Sequence, residues 1–481
     1  MADYEAVIGM EVHAELLTDS KMFCGCRNAF GGEPNSRCCP VCLGMPGSLP
    51  VPNRTAIELV MRTALALNCI VNEHPRFDRK NYYYPDLPKG YQISQYDRPI
   101  GVNGWLDVEL DGKSERVGIA RVHLEEDTGK LFHVVGDESE VDYNRSGVPL
   151  MEIVTAFPPD MRTAEQARAY LVKLRSILTY IGVSDGKMAE GSLRCEPNLS
   201  VRVRGAEGFG VKTEIKNLNS FRAVYRGIEY ELERQVGLLR QGAAVTQETR
   251  GWNDAKGRTY AQRSKEEAHD YRYFPEPDLV PLHLTKGWVE AVRTGMPELP
   301  DAARERLART YALSRQDAAM LTQDRAMAVF FESAAGACGD PKAVANWMMG
   351  DLARLLNAAD LEIGASPVTP ASLAEMIGLV RDGTISGKMA KAIFERMFET
   401  GASPAALAAA AGPQVRDRTA IAALIDGVLA EHQDVWHALC EGDEKKFGFL
   451  IGQVMKASQG KANPQEANRS LRERLESART L

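Results

Sequence analysis

Along the run Val7 to Leu16 every second side chain is apolar: Ile8, Met10, Val12, Ala14 and Leu16 alternate with Gly9, Glu11, His13 and Glu15. A strand sends successive side chains to opposite faces. This period of two therefore predicts a β-strand that lies on a core by one face and shows two carboxylates and an imidazole on the other. For a lone strand the simpler reading is a solvated sheet face, because charged residues belong at surfaces. A metal-holding face is the alternative, and it gains weight when other strands repeat the pattern.

Several segments do repeat it. Residues 117–126 set Arg121, His123 and Glu125 against Ala120, Val122 and Leu124, then run into Glu126-Asp127. Residues 192–203 set Arg194, Glu196, Asn198, Ser200 and Arg202 against Leu193, Cys195, Leu199, Val201 and Val203. Residues 211–215 set Lys212 and Glu214, with Lys216 just beyond, against Val211, Thr213 and Ile215. Glu152 interrupts the otherwise apolar run Val148 to Val154, where a carboxylate is expensive to bury without a partner. Gathered in one antiparallel sheet, these faces would form a concave surface of carboxylates interspersed with Arg, Lys and His. Such a mixture suits Mg²⁺ and phosphate, the acids holding a hard cation and the bases neutralising phosphoryl oxygens. The loop Arg79 to Tyr91, with Tyr82, Tyr83, Tyr84, Lys80 and Lys89, would add basic contacts or simply pack at the surface. A phosphate-binding loop is not the means: Gly383-Thr384-Ile385-Ser386-Gly387-Lys388-Met389 is a residue short and ends in Met, and Gly205 to Gly210 reads as a hairpin turn.

The cysteines form a second cluster. Five of the nine lie between Cys24 and Cys42, spaced as Cys24-Gly25-Cys26, twelve residues, then Cys39-Pro40-Val41-Cys42 with Cys38 alongside. Two close pairs across a short loop fit tetrahedral Zn²⁺; reduced thiols are the alternative. A site of four thiolates is closed, with no open position for substrate, so its role would be to fold a loop.

At 481 residues the chain predicts two or three domains. Strands, turns and helices mix up to about Leu284, and nearly every segment after Pro297 reads as helix. Capping residues before a proline, at Asp340-Pro341, Thr369-Pro370, Ser403-Pro404 and Asn463-Pro464, mark helix starts, the last with Glu466 completing a capping box for a helix over Pro464 to Ser477. Gly412-Pro413 suggests a joint near residue 412. In the first part, helices are expected from the capping box Thr163 to Gln166 up to Gly182, from about Phe221 to Arg240, and from Thr55 to Leu67. No stretch approaches the ~20 apolar residues that span a bilayer, and the first residues do not read as a secretion signal, so a cytoplasmic protein without membrane contact is expected. The net charge of −7 argues against a basic coat. From Lys445 onward, however, eight Lys/Arg face three Glu, and that basic tail reads either as a solvated helix surface or as a nucleic-acid contact.

Taken together, IGMEVHAELLTDSKMFCGC, CCPVCLGMPGSLPVPN, FDRKNYYYPDLPKGYQISQYD, NRSGVPLMEIV, EGSLRCEPNLSVR, EIKNLNSFRAV and DYRYFPEPDLVPL closely resemble the GatB family of tRNA-dependent amidotransferase subunits. The terminal GQVMKASQGKANPQEANRSLRERL is similar to the YqeY-like tail of that family. The resemblance implies an α+β chain: a mostly antiparallel cradle domain over 1–296 with a zinc loop at 24–42, a helical domain over 297–411 and a tail over 412–481. It implies a GatA-type amidase and a GatC-type small subunit as partners, Glu-tRNA(Gln) or Asp-tRNA(Asn) as substrate, and ATP, Mg²⁺ and structural Zn²⁺ as cofactors. The implied reaction phosphorylates the misacylated side-chain carboxylate and then amidates it with ammonia delivered by the amidase. Carried onto this sequence, Glu11, His13, Glu126 and Glu152 would hold Mg²⁺, and Lys80, Arg194, Asn198, Glu214 and Lys216 would contact phosphate and the aminoacyl group. Cys24, Cys26, Cys39 and Cys42 would hold zinc, with Cys38 a bystander, and the basic tail would meet RNA. Ala189 departs from the family, which usually has an acid there, and this puts an acidic pair with Glu190 in doubt. A tRNA-binding scaffold and a stand-alone glutamate-activating ligase are the rival readings.

Overall fold

The alternating run becomes strand β1, Tyr4–Glu15, at the middle of a nine-stranded sheet. A computed structural model describes residues 3–133, 138–264, 270–412, 417–458 and 461–480. The other strands of this sheet are β2 (Ile70–Val71), β3 (Gly101–Leu110), β4 (Lys113–Glu126) and β5 (Pro149–Thr155). They continue with β6 (Leu193–Val203), β7 (Thr213–Lys216), β8 (Glu248–Asn253) and β9 (Arg258–Ser264). The spatial order is β9-β8-β7-β6-β1-β5-β4-β3-β2, antiparallel throughout except for the parallel pair β7 and β8. The α+β class expected from the sequence holds, and Gly205, at a φ of 79°, turns the chain from β6 towards β7 as expected.

Helices α1 (Arg54–Ala66), α2 (Ala164–Tyr180) and α3 (Phe221–Arg240) supply the apolar side chains that bury one face of the sheet. Ile8, Met10, Val12 and Ala14 meet Val60, Leu171, Leu174 and Ile228 in one continuous core, each of the larger side chains contributing roughly 1.5–3 kcal/mol on burial. The other face of β1 is left for Glu11 and His13.

The helix ends follow the expected chemistry with one shift. Thr163 and Gln166 form the capping box of α2, and Gly182, at a φ of 68°, follows its end. Helix α1 begins one residue earlier than expected because Asn53, in an extended conformation, accepts the Ala56 N–H; Thr55 is not the cap. Strand β7 also starts later than expected, at Thr213, leaving Val211 exposed.

Two features depart from simple periodicity. The buried stripe of α3, which helical periodicity would carry through Leu232 and Val236, is instead completed by Glu231 and Gln235. Glu231 accepts from Thr213 Oγ1 at 3.1 Å, Thr259 Oγ1 at 3.0 Å, Gln235 Nε2 at 3.1 Å and Arg234 Nη2 at 2.6 Å, so this buried carboxylate ties α3 to β7 and β9. The second departure is a bulge in β4. Ile119 pairs with Thr155, yet Arg121 pairs with the very next residue of β5, Val154. The extra residue reverses the parity of β4, so Val117 and Ile119 before it and Val122 and Leu124 after it all reach the core.

The described residues form two units, Met1–Pro300 and Asp301–Leu481. In the second, Asp340, Thr369 and Ser403 cap the helices Pro341–Trp347, Pro370–Arg381 and Pro404–Ala411, each with proline in the first turn. Asn463 accepts the Gln465 and Glu466 N–H groups at 2.9 and 3.1 Å, and the last helix runs from Pro464 to Thr480, past the expected end. Glu466, expected to complete a capping box there, is held by Arg469. Ile421, Ile425, Leu450, Val454, Leu471 and neighbours form an apolar cluster of their own. Pro413 of the expected joint lies outside the described residues, whereas Gly412 adopts a φ of 80°. Among the described residues no helix is long and apolar enough to cross a membrane.

Candidate active site and cysteine cluster

Sheet register assembles the site. In one cross-strand row Arg194 of β6 opposes His13 of β1, which opposes Glu152 of β5, which opposes His123 of β4. In the next row Glu196, Glu11, Val154 and Arg121 stand in the same order. Asn198 faces Gly9 on one side and Glu214 on the other. Residues far apart in the chain thus share one face because the pleat places them there.

The imidazole of His13 is the meeting point. Its Nε2 lies 3.5 Å from Glu125 Oε1 and 3.6 Å from Glu152 Oε2. His123, beneath, approaches the same carboxylates at 3.6 and 3.2 Å, and Ser94 Oγ donates to Glu125 at 3.0 Å. Burial disfavours a charged His13, but its bond to Glu152 and the fields of Glu152, Glu125 and Glu196 outweigh that and push it up to about 9. Glu152 is also desolvated, and here the two imidazoles win and hold it well below the usual carboxylate range. Glu11 goes the other way, raised by burial and then by Glu152 and Glu196. His13, Glu125 and Glu152 each offer a ligand atom, all within 4.8 Å of one another, a donor set of imidazole and carboxylate oxygens.

Of the expected quartet Glu11, His13, Glu126 and Glu152, the structure does not bring Glu126 to the other three. Its carboxylate is engaged by Lys89 Nζ and by the Ile93 N–H at 2.9 Å, while its neighbour Glu125 reaches His13. Adjacent strand residues face opposite ways, so Glu125 and Glu126 turn to different sides of β4. Glu125 and His123 both stand on the polar face of β4 in the alternating sequence pattern, and that alternation is the signal that chooses between the neighbours.

The candidates for phosphate and aminoacyl contact spread outward from this centre. Lys80 packs 5.0 Å from the Tyr271 ring and 5.8 Å from Tyr82, and although burial opposes its charge, Glu125, Tyr273 and Glu152 raise its pKa. Arg194 donates to the buried Asp127 at 2.6 Å, a partner that no local sequence signal singles out. Asn198 Nδ2 donates to Glu11 Oε1 at 3.0 Å and orients it. Lys216 binds Glu196 at 2.9 Å and lies 3.4 Å from Glu214, which accepts from Thr249. Glu190 pairs with Lys187 at the surface.

Two cavities border the face. One, of about 260 Å³, is lined by Val7, Glu11, Val154, Phe157, Asn198 and Phe209, the two phenyl rings 5.1 Å apart. The other, of about 200 Å³, lies between Glu126, Lys89 and Tyr91 on one side and Cys24 and Cys42 on the other.

Cys24, Cys26, Cys39 and Cys42 bring their sulfurs within 4.8 Å of one another, and Cys38 stands outside this group. The Cys39 N–H donates to Cys42 Sγ at 3.1 Å, and the fully buried Lys21 ammonium lies 3.8 Å from it. A hydrogen bond from the Cys24 thiol, working against burial, leads these in holding the Cys42 thiol well below its usual range. Four convergent thiols beside a buried cation fit a closed tetrahedral zinc site.

Residues 6–290 match the family model described as the GatB/GatE catalytic domain, and residues 329–475 match that described as the GatB domain. The class is therefore that of amidotransferase catalytic subunits. The chain is 54% identical over 477 residues to the GatB subunit of the aspartyl/glutamyl-tRNA(Asn/Gln) amidotransferase of Moorella thermoacetica, covering 98% of this chain and 100% of the relative. It is 52% identical over 480 residues to the corresponding subunit of Carboxydothermus hydrogenoformans, covering 99% of each. It belongs to the GatB family of amidotransferase subunits, whose activity is of the ligase type.

Proposed function

We propose that the chain binds Glu-tRNA(Gln) or Asp-tRNA(Asn) and uses ATP to phosphorylate the misacylated side-chain carboxylate. Ammonia from a GatA-type amidase then displaces the phosphate, and a GatC-type subunit completes the complex. The observation that carries this reading is the convergence of His13, Glu125 and Glu152 from three strands, with Glu11 one row away. These residues would hold Mg²⁺, which when bound neutralises charge developing on the transferred phosphoryl group. Asn198 fixes the Glu11 carboxylate, His123 and Ser94 fix Glu152 and Glu125, and Lys80 adds positive charge at the edge. The 260 Å³ cavity next to Glu11, apolar and walled by Phe157 and Phe209, suits a nucleoside base.

The four-cysteine group would hold structural Zn²⁺, and a cytoplasmic site accords with reduced thiols. The division into 1–296, 297–411 and 412–481 belongs to the same proposal, supported by the unit boundary at Pro300 and the separate tail cluster. In the tail, Arg469, Arg474 and Arg479 already pair with Glu466, Asp426 and Glu444 at the surface. Contact with tRNA there would exchange weak, salt-screened pairs for phosphate, at little cost.

Glu11→Gln tests the reading in the assembled enzyme. ATP- and aminoacyl-tRNA-dependent amidation should be lost while glutamine hydrolysis remains measurable. Full amidation by the variant would sink the proposal, and a change confined to tRNA affinity would point to a binding scaffold.

A further inference from the structure

Among the basic side chains near the polar face, most are committed. Arg194 binds Asp127 at 2.6 Å, Lys216 binds Glu196 at 2.9 Å, Arg202 binds Glu5 at 2.7 Å and Lys89 binds Glu126. Arg121 differs. It has no ion pair among the described residues, and its Nε is buried without a hydrogen-bond partner. Leaving a guanidinium N–H unsatisfied is costly, and because this Nε is shielded from solvent, it is the Nη groups, unpaired but not buried, that can meet an external acceptor.

The backbone is shaped to put it there. Without the bulge of β4, Arg121 would share the parity of Val117 and Ile119 and point into the core; the extra residue turns it to the side of His123 and Glu125. On that side it flanks Val154, whose opposite neighbour is Glu11. Val154 is only half-buried and lines the cavity that holds Phe157 and Phe209, so it forms a low saddle between that cavity and the row of His13 and Glu152. The ring of Tyr96, stacked on Tyr273 at 4.2 Å, supports the guanidinium from 5.8 Å and limits its wandering.

We propose that Arg121 grips the phosphate chain of the nucleotide beyond Val154, its planar fork donating to non-bridging oxygens of the β- and γ-phosphates, on the side towards the row of His13 and Glu152. This rests on the nucleotide reading of the site and adds a residue outside the assigned set. A guanidinium suits the task because it stays charged and binds two oxygens at once, which lysine cannot do.

The test titrates the full chain with ATP and with AMP in the presence of Mg²⁺, for the native protein, Arg121→Ala and Arg121→Lys, and records each thermal midpoint. Arg121→Ala should weaken ATP about tenfold or more, leave AMP within about twofold and keep its midpoint, with Arg121→Lys between. ATP binding unchanged in Arg121→Ala would overturn the assignment. Equal loss of ATP and AMP, or a lowered midpoint, would overturn it too, by showing that the arginine only supports the bulge. A native chain that binds neither nucleotide would instead remove the nucleotide reading itself, and this assignment with it.

Discussion

The four thiols come from nineteen consecutive residues, whereas His13, Glu125 and Glu152 come from β1, β4 and β5 and meet only because the sheet is registered correctly. The first cluster is a property of local turns, with Gly44 at a φ of 65° closing the segment after Cys42. The second is a property of the whole sheet. A slip of one residue in β4 would replace Glu125 by Glu126 and lose His123 from the face altogether. A substitution in the loop should therefore cost order locally, and one in the sheet should cost chemistry.

Changes at four positions would break or sharpen that contrast. The largest effect is expected from His13→Ala, which removes the hub between Glu125 and Glu152. Aminoacyl-tRNA-dependent ADP release should fall about a hundredfold or more, with glutamine hydrolysis preserved in the complex. Next is Cys42→Ser: metal analysis should show zinc falling from about one per chain towards none, and the melting midpoint should drop by several degrees. Chain that remains folded should still bind ATP, because the thiols supply no nucleotide contact. A native protein with no zinc would end that half of the comparison.

Glu231→Ala breaks a buried polar network away from both clusters and should destabilise by about 3 kcal/mol in denaturant titrations. Burial opposes the Glu231 charge, but Arg234, Gln235 and Arg250 lower its native pKa overall. Its contribution is therefore complete above the ordinary glutamate range and is lost as pH falls through the lowered native value, so Glu231→Gln should flatten the acid limb of a stability profile. The smallest effect is expected from Asn198→Ala, which frees Glu11 without removing it; a drop in turnover of about fivefold fits one lost hydrogen bond.

Much of this is legible in the sequence because the relevant signals are short-ranged. Alternation exposes β1 and the polar faces of β4 and β6, caps mark α2 and the later helices, and cysteine spacing marks the thiol group. What stays hidden depends on contacts across the chain. The bulge at Ala120 resets the parity of β4, and nothing within a run of Val, Ile and Ala announces an extra residue. Glu231 and Gln235 lie at positions where helical periodicity wants apolar side chains, and their partners Thr213 and Thr259 are brought by strands. Motif resemblance favours Glu126 over Glu125, although the two-residue period already places Glu125 with His123.

The most direct test of the central claim compares Glu125→Gln with Glu126→Gln in the assembled enzyme, measuring Mg²⁺- and aminoacyl-tRNA-dependent ADP formation. The geometry predicts near-complete loss for Glu125→Gln and retained ADP formation for Glu126→Gln. The reverse pattern would contradict a phosphoryl-transfer centre built on His13, Glu125 and Glu152.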